Sequence, residues 1–248
     1  MCCDIMLEIK DKVRHGIKKS KATISYLISL VISKEQQSLN FFKVNFLHLN
    51  NKYLFERLQE YWSEYRYFNE ISQIIKLKNP LFKENEILDV GCGYTSVLNL
   101  LPKSERYGID IVINGLKKNF SLSKEIRWIN GTVENLPFEN NFFDIVFCTN
   151  GIDHFDNPRK ALFEIKRVLK NKGLFILTVD VFKKEISYRN KRHPYSYTES
   201  KLIKELSDFK ILFKKKSVIN AQFNRYIKNN IVVSEDKKEL ILVMQLEK

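Results

Sequence analysis

The sequence has no long apolar run. Its most apolar early stretch, Ile24 to Ile32, is too short to span a bilayer, and no small-residue cleavage pattern follows the basic residues that precede it. We therefore expect neither a transmembrane helix nor a signal peptide. A helix lying weakly on a membrane surface remains an alternative to a helix that covers the core or forms a dimer contact.

Cysteine and histidine are also scarce. The four cysteines (Cys2, Cys3, Cys92 and Cys148) lack the spacing of a metal site, and the four histidines (His15, His48, His154 and His193) are scattered along the chain. The sequence therefore predicts no metal centre and no disulfide framework. Free cysteines inside predicted core elements are typical of a reducing, cytoplasmic protein.

Acidic residues are outnumbered: 29 Asp and Glu face 42 Lys and Arg, which gives a formal net charge of +13. Such a charge is typical of nucleic-acid-binding proteins. However, Lys, Asn, Ile and Phe are all abundant here, as AT-biased coding would also produce, so the charge carries less weight. It still predicts a surface that attracts acidic small molecules. A chain of 248 residues is long enough for one large α/β domain with an appendage.

The most informative stretch runs from Ile87 to Thr95 and reads ILDVGCGYT. An apolar run that ends at closely spaced glycines predicts a buried parallel strand followed by a tight turn and a helix, here Thr95 to about Leu101. Thr95 or Ser96 is suited to cap that helix, and Gly93 allows a ligand to approach the main chain. The turn therefore predicts a ligand site.

Asp89 indicates which ligand this turn binds. A dinucleotide pyrophosphate requires a third glycine at the sixth position, where Ser96 stands, and is repelled by a nearby carboxylate. S-adenosylmethionine carries an ammonium and a sulfonium, so a carboxylate attracts it. The stretch resembles the first motif of class I S-adenosylmethionine-dependent methyltransferases, with Thr95 in place of the third glycine. The resemblance implies cofactor contacts from Asp89, Gly91 and Gly93.

Asp110 lies about twenty residues after this turn, at the end of the predicted strand Arg106 to Asp110. A carboxylate at the tip of the second strand is suited to bind ribose, because it can accept from two hydroxyl groups. We predict that Asp110 contacts the cofactor ribose.

A second motif, IRWINGTVENLPFENNFFDIVFCTN, covers Ile126 to Asn150. It resembles the "GDAxxLPFxxxxFDxV" block of the small-molecule methyltransferase family called type 11. In that family the loop supports adenine through an acidic residue and the backbone N–H that follows. The resemblance implies these roles for Thr132, which replaces the acid, and Val133. The second strand, Phe143 to Cys148, is apolar throughout, as expected of a central parallel strand.

Asn150 to His154 follow that strand, at the sheet edge where open α/β sheets bind ligands. We predict that Asn150 contacts the cofactor. Asp153 and His154 stand in place of the family's "EH" pair and are the predicted catalytic residues. Imidazole is suited to remove a proton from an acceptor hydroxyl, although His154 could also only shape the pocket. Asn157 or Asp156, followed by Pro158, predicts the cap of the next helix.

A polar, basic segment near 182–200 interrupts the pattern before a helix capped by Thr198. In the type 11 family such an insertion commonly covers the acceptor. The resemblance makes four residues the predicted acceptor contacts, with a solvated loop as the alternative: Arg189, Arg192, His193 and Tyr195. Phe209 to Phe213 and Glu239 to Leu246 are predicted to complete the sheet as an antiparallel pair.

Residues 1–80 have helical character and are predicted to form an extension or lid. Apolar and aromatic residues recur at helical spacing from Tyr53 to Ile75, and Asn79-Pro80 ends the pattern. In the methyltransferases that this chain resembles, a Tyr or Arg of such a helix often reaches the methionine carboxylate. Tyr65 is the predicted contact, with Tyr61 and Arg66 as alternatives.

Together these motifs predict two parts: the extension over 1–80 and a methyltransferase domain over 81–248. The expected fold is a Rossmann-like, doubly wound, seven-stranded and mostly parallel sheet with helices on both faces. The expected activity is metal-independent methyl transfer from S-adenosylmethionine to an oxygen of a small acidic metabolite. A nucleotide-linked sugar or a surface-polysaccharide precursor fits that description.

Two other functions remain open at this stage. The net charge favours RNA methylation, but the chain has no visible RNA-binding module and no Pro-rich motif after Phe143 to Cys148. The changed Thr95 and Thr132 are also compatible with a cofactor-binding protein that has lost catalysis and acts through a partner. The sequence leaves open whether the protein is a monomer or a homodimer.

Overall fold

The structure, a computed structural model, describes residues 33, 35–36, 39, 71, 73, 85–101, 104–185, 193–217 and 237–247. These residues form one seven-stranded sheet with helices packed against it. The predicted extension over 1–80 lies almost entirely outside the described residues and stays a prediction. None of the helices in the described ranges is long and apolar enough to cross a bilayer.

The strands are β1 (Glu86–Val90), β2 (Glu105–Asp110), β3 (Arg127–Asn130), β4 (Phe143–Thr149), β5 (Leu169–Phe182), β6 (Phe209–Ser217) and β7 (Lys237–Leu246). Their order across the sheet is β3-β2-β1-β4-β5-β7-β6. β1 to β5 pair in parallel, whereas β7 runs antiparallel to both β5 and β6. The seven-stranded, mostly parallel sheet and its antiparallel final pair are confirmed.

Three α-helices have both ends within the described residues: α1 (Ile113–Asn119), α2 (Pro158–Val168) and α3 (Glu199–Glu205). α2 begins as predicted, because the Asn157 side chain accepts from the Lys160 N–H and Pro158 occupies the first turn. Thr198 caps α3 in the same way through the Lys201 N–H. The sequence analysis did not assign α1, which is short and lacks a side-chain cap.

The helix predicted from Thr95 to Leu101 is wrong in extent. Only a 3₁₀ turn forms there, over Val97–Leu100, with Ser96 as its N-cap. Pro102 explains the early end, because a proline disfavours helical geometry in the preceding residue, and Leu101 is extended at φ −83° and ψ 147°. A second 3₁₀ turn, Ile152–His154, follows β4.

Apolar side chains cover both faces of the sheet, as expected of a central parallel sheet. One face packs under α2 and α3, where Leu162, Ile165 and Leu202 are fully or almost fully buried. The other face includes Ile87, Phe147 and Ile176 and packs against the first 3₁₀ turn and the helical residue Ile71. The carboxyl ends of β1, β2 and β4 therefore form an edge held rigidly between two packed layers.

The loop between β3 and β4 is fixed by an ion pair on α2. Arg167 donates from Nη2 to the Leu136 carbonyl at 2.9 Å and from Nη1 to the Phe138 carbonyl at 2.7 Å. Glu164 accepts from the Leu136 N–H at 2.8 Å and from Arg167 at 2.7 Å. We call these two side chains the α2 clamp. It explains the Leu136-Pro137-Phe138 motif in structural terms.

Candidate cofactor and active site

The turn after β1 has the backbone geometry that its glycines allow. Gly91 and Gly93 have φ values of 65° and 53°, which residues with a Cβ rarely adopt. The Gly91 N–H donates to the Ile109 carbonyl at 2.9 Å, so the turn is tied to β2. A Cβ at Gly91 would lie 3.1 Å from the Phe155 ring and 3.5 Å from the Gly151 Cα. The turn after β1 and the segment after β4 are therefore in direct contact.

Asp110 lies at the end of β2, with its carboxylate oriented by the main chain. Oδ2 accepts from the Gly93 N–H at 2.9 Å and Oδ1 from the Val112 N–H at 3.1 Å. Each carboxylate oxygen has two lone-pair sites, so these contacts are compatible with a further hydroxyl donor on either oxygen. The arrangement links Asp110 directly to the second glycine of the turn.

Asp89 is fully buried beneath the same turn. Its Oδ2 accepts from the Ser96 hydroxyl at 2.6 Å, while Ser96 Oγ accepts from the Leu98 N–H at 3.2 Å. Ser96 therefore connects a buried carboxylate to the start of the 3₁₀ turn. Asp89 contributes negative charge to the floor of the site and shapes the loop above it.

The predicted adenine loop divides into an exposed and a buried residue. Thr132 is exposed, whereas the Val133 side chain belongs to the core that packs against α2. Glu134, two residues after Thr132, accepts from the Asp156 and Asn157 N–H groups at 2.8 and 3.0 Å. Glu134 thus stabilises the entry to α2.

Asn150 ends β4 in a left-handed conformation, with φ at 56°. Its N–H donates to the Thr178 carbonyl of β5 at 2.8 Å. Its side-chain Oδ1 is buried and has no hydrogen-bond partner in the described part of the chain. Because buried polar atoms are nearly always satisfied, this oxygen indicates a position where a ligand donor belongs.

Asp153, His154 and His193 form one cluster beside this edge, which we call the imidazole cluster. His193 Nδ1 lies 2.9 Å from Asp153 Oδ2, and His154 Nε2 lies 3.8 Å from Asp153 Oδ1. The two rings are 4.0 Å apart between centroids. An ionised carboxylate only accepts, so Nδ1 of His193 carries the hydrogen in this arrangement. Sequence reasoning assigned the three residues to two separate roles, and the structure brings them together.

Tyr195 lies near the cluster but is directed to another partner. Its hydroxyl donates to the Asp156 carbonyl at 2.8 Å, and 38% of the residue is exposed. Tyr65, Arg189 and Arg192 lie outside the described residues, as do Tyr61 and Arg66. Their predicted contacts with cofactor and acceptor stay predictions.

The two cysteines near the site are not nucleophiles. Burial raises the pKa of both thiols, Cys92 and Cys148, and nearby carboxylates, Asp89 among them, raise both further. Both side chains therefore remain protonated and act as small apolar groups.

Comparison with known proteins agrees with this geometry. Residues 88–177 match the family model described as a methyltransferase domain of type 11. The uncharacterized protein MJ0638 of Methanocaldococcus jannaschii is 37% identical over 161 residues, which cover 64% of this chain and 62% of that protein. The uncharacterized methyltransferase YcgJ of Bacillus subtilis is 28% identical over 182 residues, which cover 64% of this chain and 70% of YcgJ.

Residues 88–177, about a third of the chain, are therefore similar to the methyltransferase domain of the type 11 family. The chain's match spans somewhat less than two thirds of MJ0638. The crystal structure of YcgJ shares the fold, with a TM-score of 0.50 and 20% identity over 71% of this chain and 97% of that chain. The [4+2]-cyclase SpnF shares it too, with a TM-score of 0.54 and 17% identity over 72% of this chain and 80% of SpnF.

The match to this methyltransferase family implies S-adenosylmethionine as the cofactor. The residues present fit it in three respects. The two left-handed glycines leave main chain open to close approach, the Asp110 carboxylate is fixed at the strand tip, and the Asn150 oxygen is a buried acceptor that needs a donor. A cationic ligand also suits the two carboxylates beneath the turn.

Proposed function

We propose that the protein transfers a methyl group from S-adenosylmethionine to an oxygen of a small acidic metabolite. The main support for this proposal is that the turn after β1 contacts the segment after β4, which bears the imidazole cluster. A Cβ placed on Gly91 would lie 3.5 Å from the Gly151 Cα. In-line transfer requires donor and acceptor groups side by side, and catalysis by alignment can account for much of the rate.

In this proposal Asp89, Gly91, Gly93 and Asp110 hold the cofactor, together with Thr132, Val133 and Asn150. When bound, S-adenosylmethionine supplies an electrophilic methyl carbon on a positively charged sulfur. The protein must then align the acceptor and accommodate the proton that a hydroxyl acceptor loses. The imidazole cluster is the group of side chains suited to that second task. The sequence predicts that His154 takes the proton directly.

The acidic acceptor rests on the chain's charge. A net charge of +13 and the basic residues Arg189, Lys191 and Arg192 favour an anion, because Arg binds carboxylate and phosphate groups in a bidentate fashion. A nucleotide-linked sugar or a surface-polysaccharide precursor in the cytoplasm meets these requirements. The reaction class does not depend on this choice.

A substrate panel tests the proposal. Release of S-adenosylhomocysteine is measured with acidic sugars and phosphorylated metabolites, with matched neutral sugars and amines as controls. We expect turnover only with acidic acceptors. We also expect His154→Ala to lower turnover about 10²- to 10⁴-fold without loss of cofactor binding. Turnover confined to amines or to bulk tRNA would overturn the proposed acceptor class.

A further inference from the structure

The imidazole cluster has the composition of a metal-binding site. One carboxylate oxygen of Asp153 and one ring nitrogen each of His154 and His193 lie within 4.8 Å of one another. Two imidazoles and one carboxylate are donors that Zn²⁺ and neighbouring divalent ions bind readily. Sequence spacing did not reveal this set, because His193 lies 40 residues after Asp153.

The distances are close to those that a metal ion imposes. Two ligand atoms bound tetrahedrally to zinc at about 2.0–2.1 Å are separated by about 3.3 Å. The separations of 2.9 Å between His193 and Asp153 and 3.8 Å between His154 and Asp153 lie on either side of that value. The ligand nitrogens of the two histidines lie no more than 4.8 Å apart, so side-chain shifts of about 1 Å would bring all three atoms onto one ion. His154 lies on a short 3₁₀ turn and His193 on a single β-bridge residue outside β1 to β7, so such shifts need no change in those strands.

Burial and charge favour a cation at the same point. Asp153 is only 2% exposed, whereas the side chains of His154 and His193 are 28% and 20% exposed. A buried carboxylate is costly without a counter-charge. Two imidazolium rings with centroids 4.0 Å apart would repel each other, while two neutral rings and one carboxylate offer a net charge of −1 to a dication.

From these observations the geometry points to a divalent metal site formed by Asp153, His154 and His193, with zinc as the ion that fits best. Three protein ligands leave one coordination position open, which is the arrangement of catalytic rather than structural zinc sites. The partly exposed imidazoles mark the side from which the ion and an exogenous oxygen ligand enter. In such a site His154 would be a metal ligand, and the ion would take over the activation of the acceptor hydroxyl.

The catalytic consequence rests on the proposed function. A hydroxyl oxygen of the acceptor at the open position would have its pKa lowered by the ion, and its proton would leave to water. That oxygen then forms the new bond to the methyl carbon while the bond from methyl to sulfur breaks, releasing S-adenosylhomocysteine. Metal binding itself does not depend on this step.

Equilibrium dialysis of the tag-free full-length protein against zinc, after removal of metal by a chelator, tests the site. We expect one zinc per chain. Asp153→Asn, His154→Gln and His193→Gln should each weaken binding by about tenfold or more, as loss of groups at metal sites commonly does. Asp156→Asn, which removes an exposed carboxylate three residues from Asp153, should leave zinc affinity unchanged.

Imidazole proton NMR of the wild-type protein provides a readout that does not rely on variants folding. Zinc should shift the ring signals of two of the four histidines. No stoichiometric binding, or binding that none of the three substitutions weakens, would overturn the site and leave a hydrogen-bonded Asp153–His193 pair. S-adenosylmethionine titration of the same samples separates the two proposals, because cofactor binding without zinc binding rejects only the metal site.

Discussion

At the scale of single residues, Ser96 holds the conformation of the turn after β1. Its hydroxyl donates to the fully buried Asp89 carboxylate at 2.6 Å and accepts from the Leu98 N–H. The same hydroxyl therefore provides a hydrogen bond to a buried carboxylate and caps the 3₁₀ turn. The sequence predicted the cap. It did not predict the bond to Asp89, because that contact depends on how sharply the chain reverses after β1.

We expect Ser96→Ala to lower the free energy of unfolding by about 1–3 kcal/mol, because it removes a hydrogen bond from a buried carboxylate. It should also weaken S-adenosylmethionine binding, since the turn loses its anchor. Urea unfolding and calorimetric titration measure the two effects. Ser123→Ala, which removes a half-buried hydroxyl that accepts from the Glu125 N–H, is the control and should cost about 0.5 kcal/mol or less. Equal losses in both variants would contradict the anchoring role.

Single residues also mark where sequence reasoning stops. Asp110 and the two glycines could be placed because strand periodicity and turn chemistry are local signals. Glu134 could not be assigned, since its partners, the Asp156 and Asn157 N–H groups, lie 22 and 23 residues away. The pairing of His193 with Asp153 was hidden for the same reason.

At the scale of elements, the α2 clamp holds the β3–β4 loop against the helix. Glu164 and Arg167 are spaced by one helical turn, a pattern visible in the sequence, but their targets on Leu136 and Phe138 are not. The pKa of the Glu164 carboxyl lies below its ordinary value, mainly because Arg167 donates a hydrogen bond to it. Burial acts in the opposite direction and raises this pKa. The stabilisation due to ionised Glu164 is therefore present above the unfolded-state pKa.

This contribution should be lost as the pH falls below about 4.5 and through the lowered folded-state pKa, because Glu164 is then protonated. We expect Glu164→Gln to cost about 1–3 kcal/mol at neutral pH. The difference from wild type should shrink at low pH. Urea unfolding across the acidic range measures this trend, and Glu139→Gln, on an exposed carboxyl of the same loop, is the control. A deficit that does not change with pH would contradict the clamp.

The starting residue of a strand is also difficult to predict from the sequence. β5 begins at Leu169, before the Asn171-Lys172-Gly173 segment, with Lys172 at φ 61° and a register shift between Phe143 and Ile145 of β4. Asn171-Lys172-Gly173 reads as a turn because its composition is that of a turn. Leu169 nevertheless pairs with Phe143 of β4, so β5 starts before this segment. Such pairing depends on the tertiary structure and cannot be predicted from local composition.

At the scale of the whole molecule, the alternation of apolar strands, glycine turns and capped helices predicted the mostly parallel seven-stranded sheet, whereas the order of its strands is known only from the structure. The basic composition is partly explained by the edge strand β6, where Lys210, Lys214, Lys215 and Lys216 line a sheet edge. Charged edge strands resist pairing with other chains. Lys214 and Lys216 also pair with Glu199 on α3.

The fold alone does not determine the reaction, since a [4+2]-cyclase shares it. The proposed activity therefore requires that the edge formed by β1, β2 and β4 binds S-adenosylmethionine through Asp110. This binding does not depend on the identity of the acceptor or on the role of the imidazole cluster.

Calorimetric titration with S-adenosylmethionine is the most direct test. We expect one molecule per chain to bind the wild-type protein and Asp208→Asn, which removes an exposed carboxylate far along the chain. Asp110→Ala should bind at least about tenfold more weakly, a loss of about 1.4 kcal/mol. No binding to wild type at millimolar ligand, or equal affinity for wild type and Asp110→Ala, would contradict the central claim.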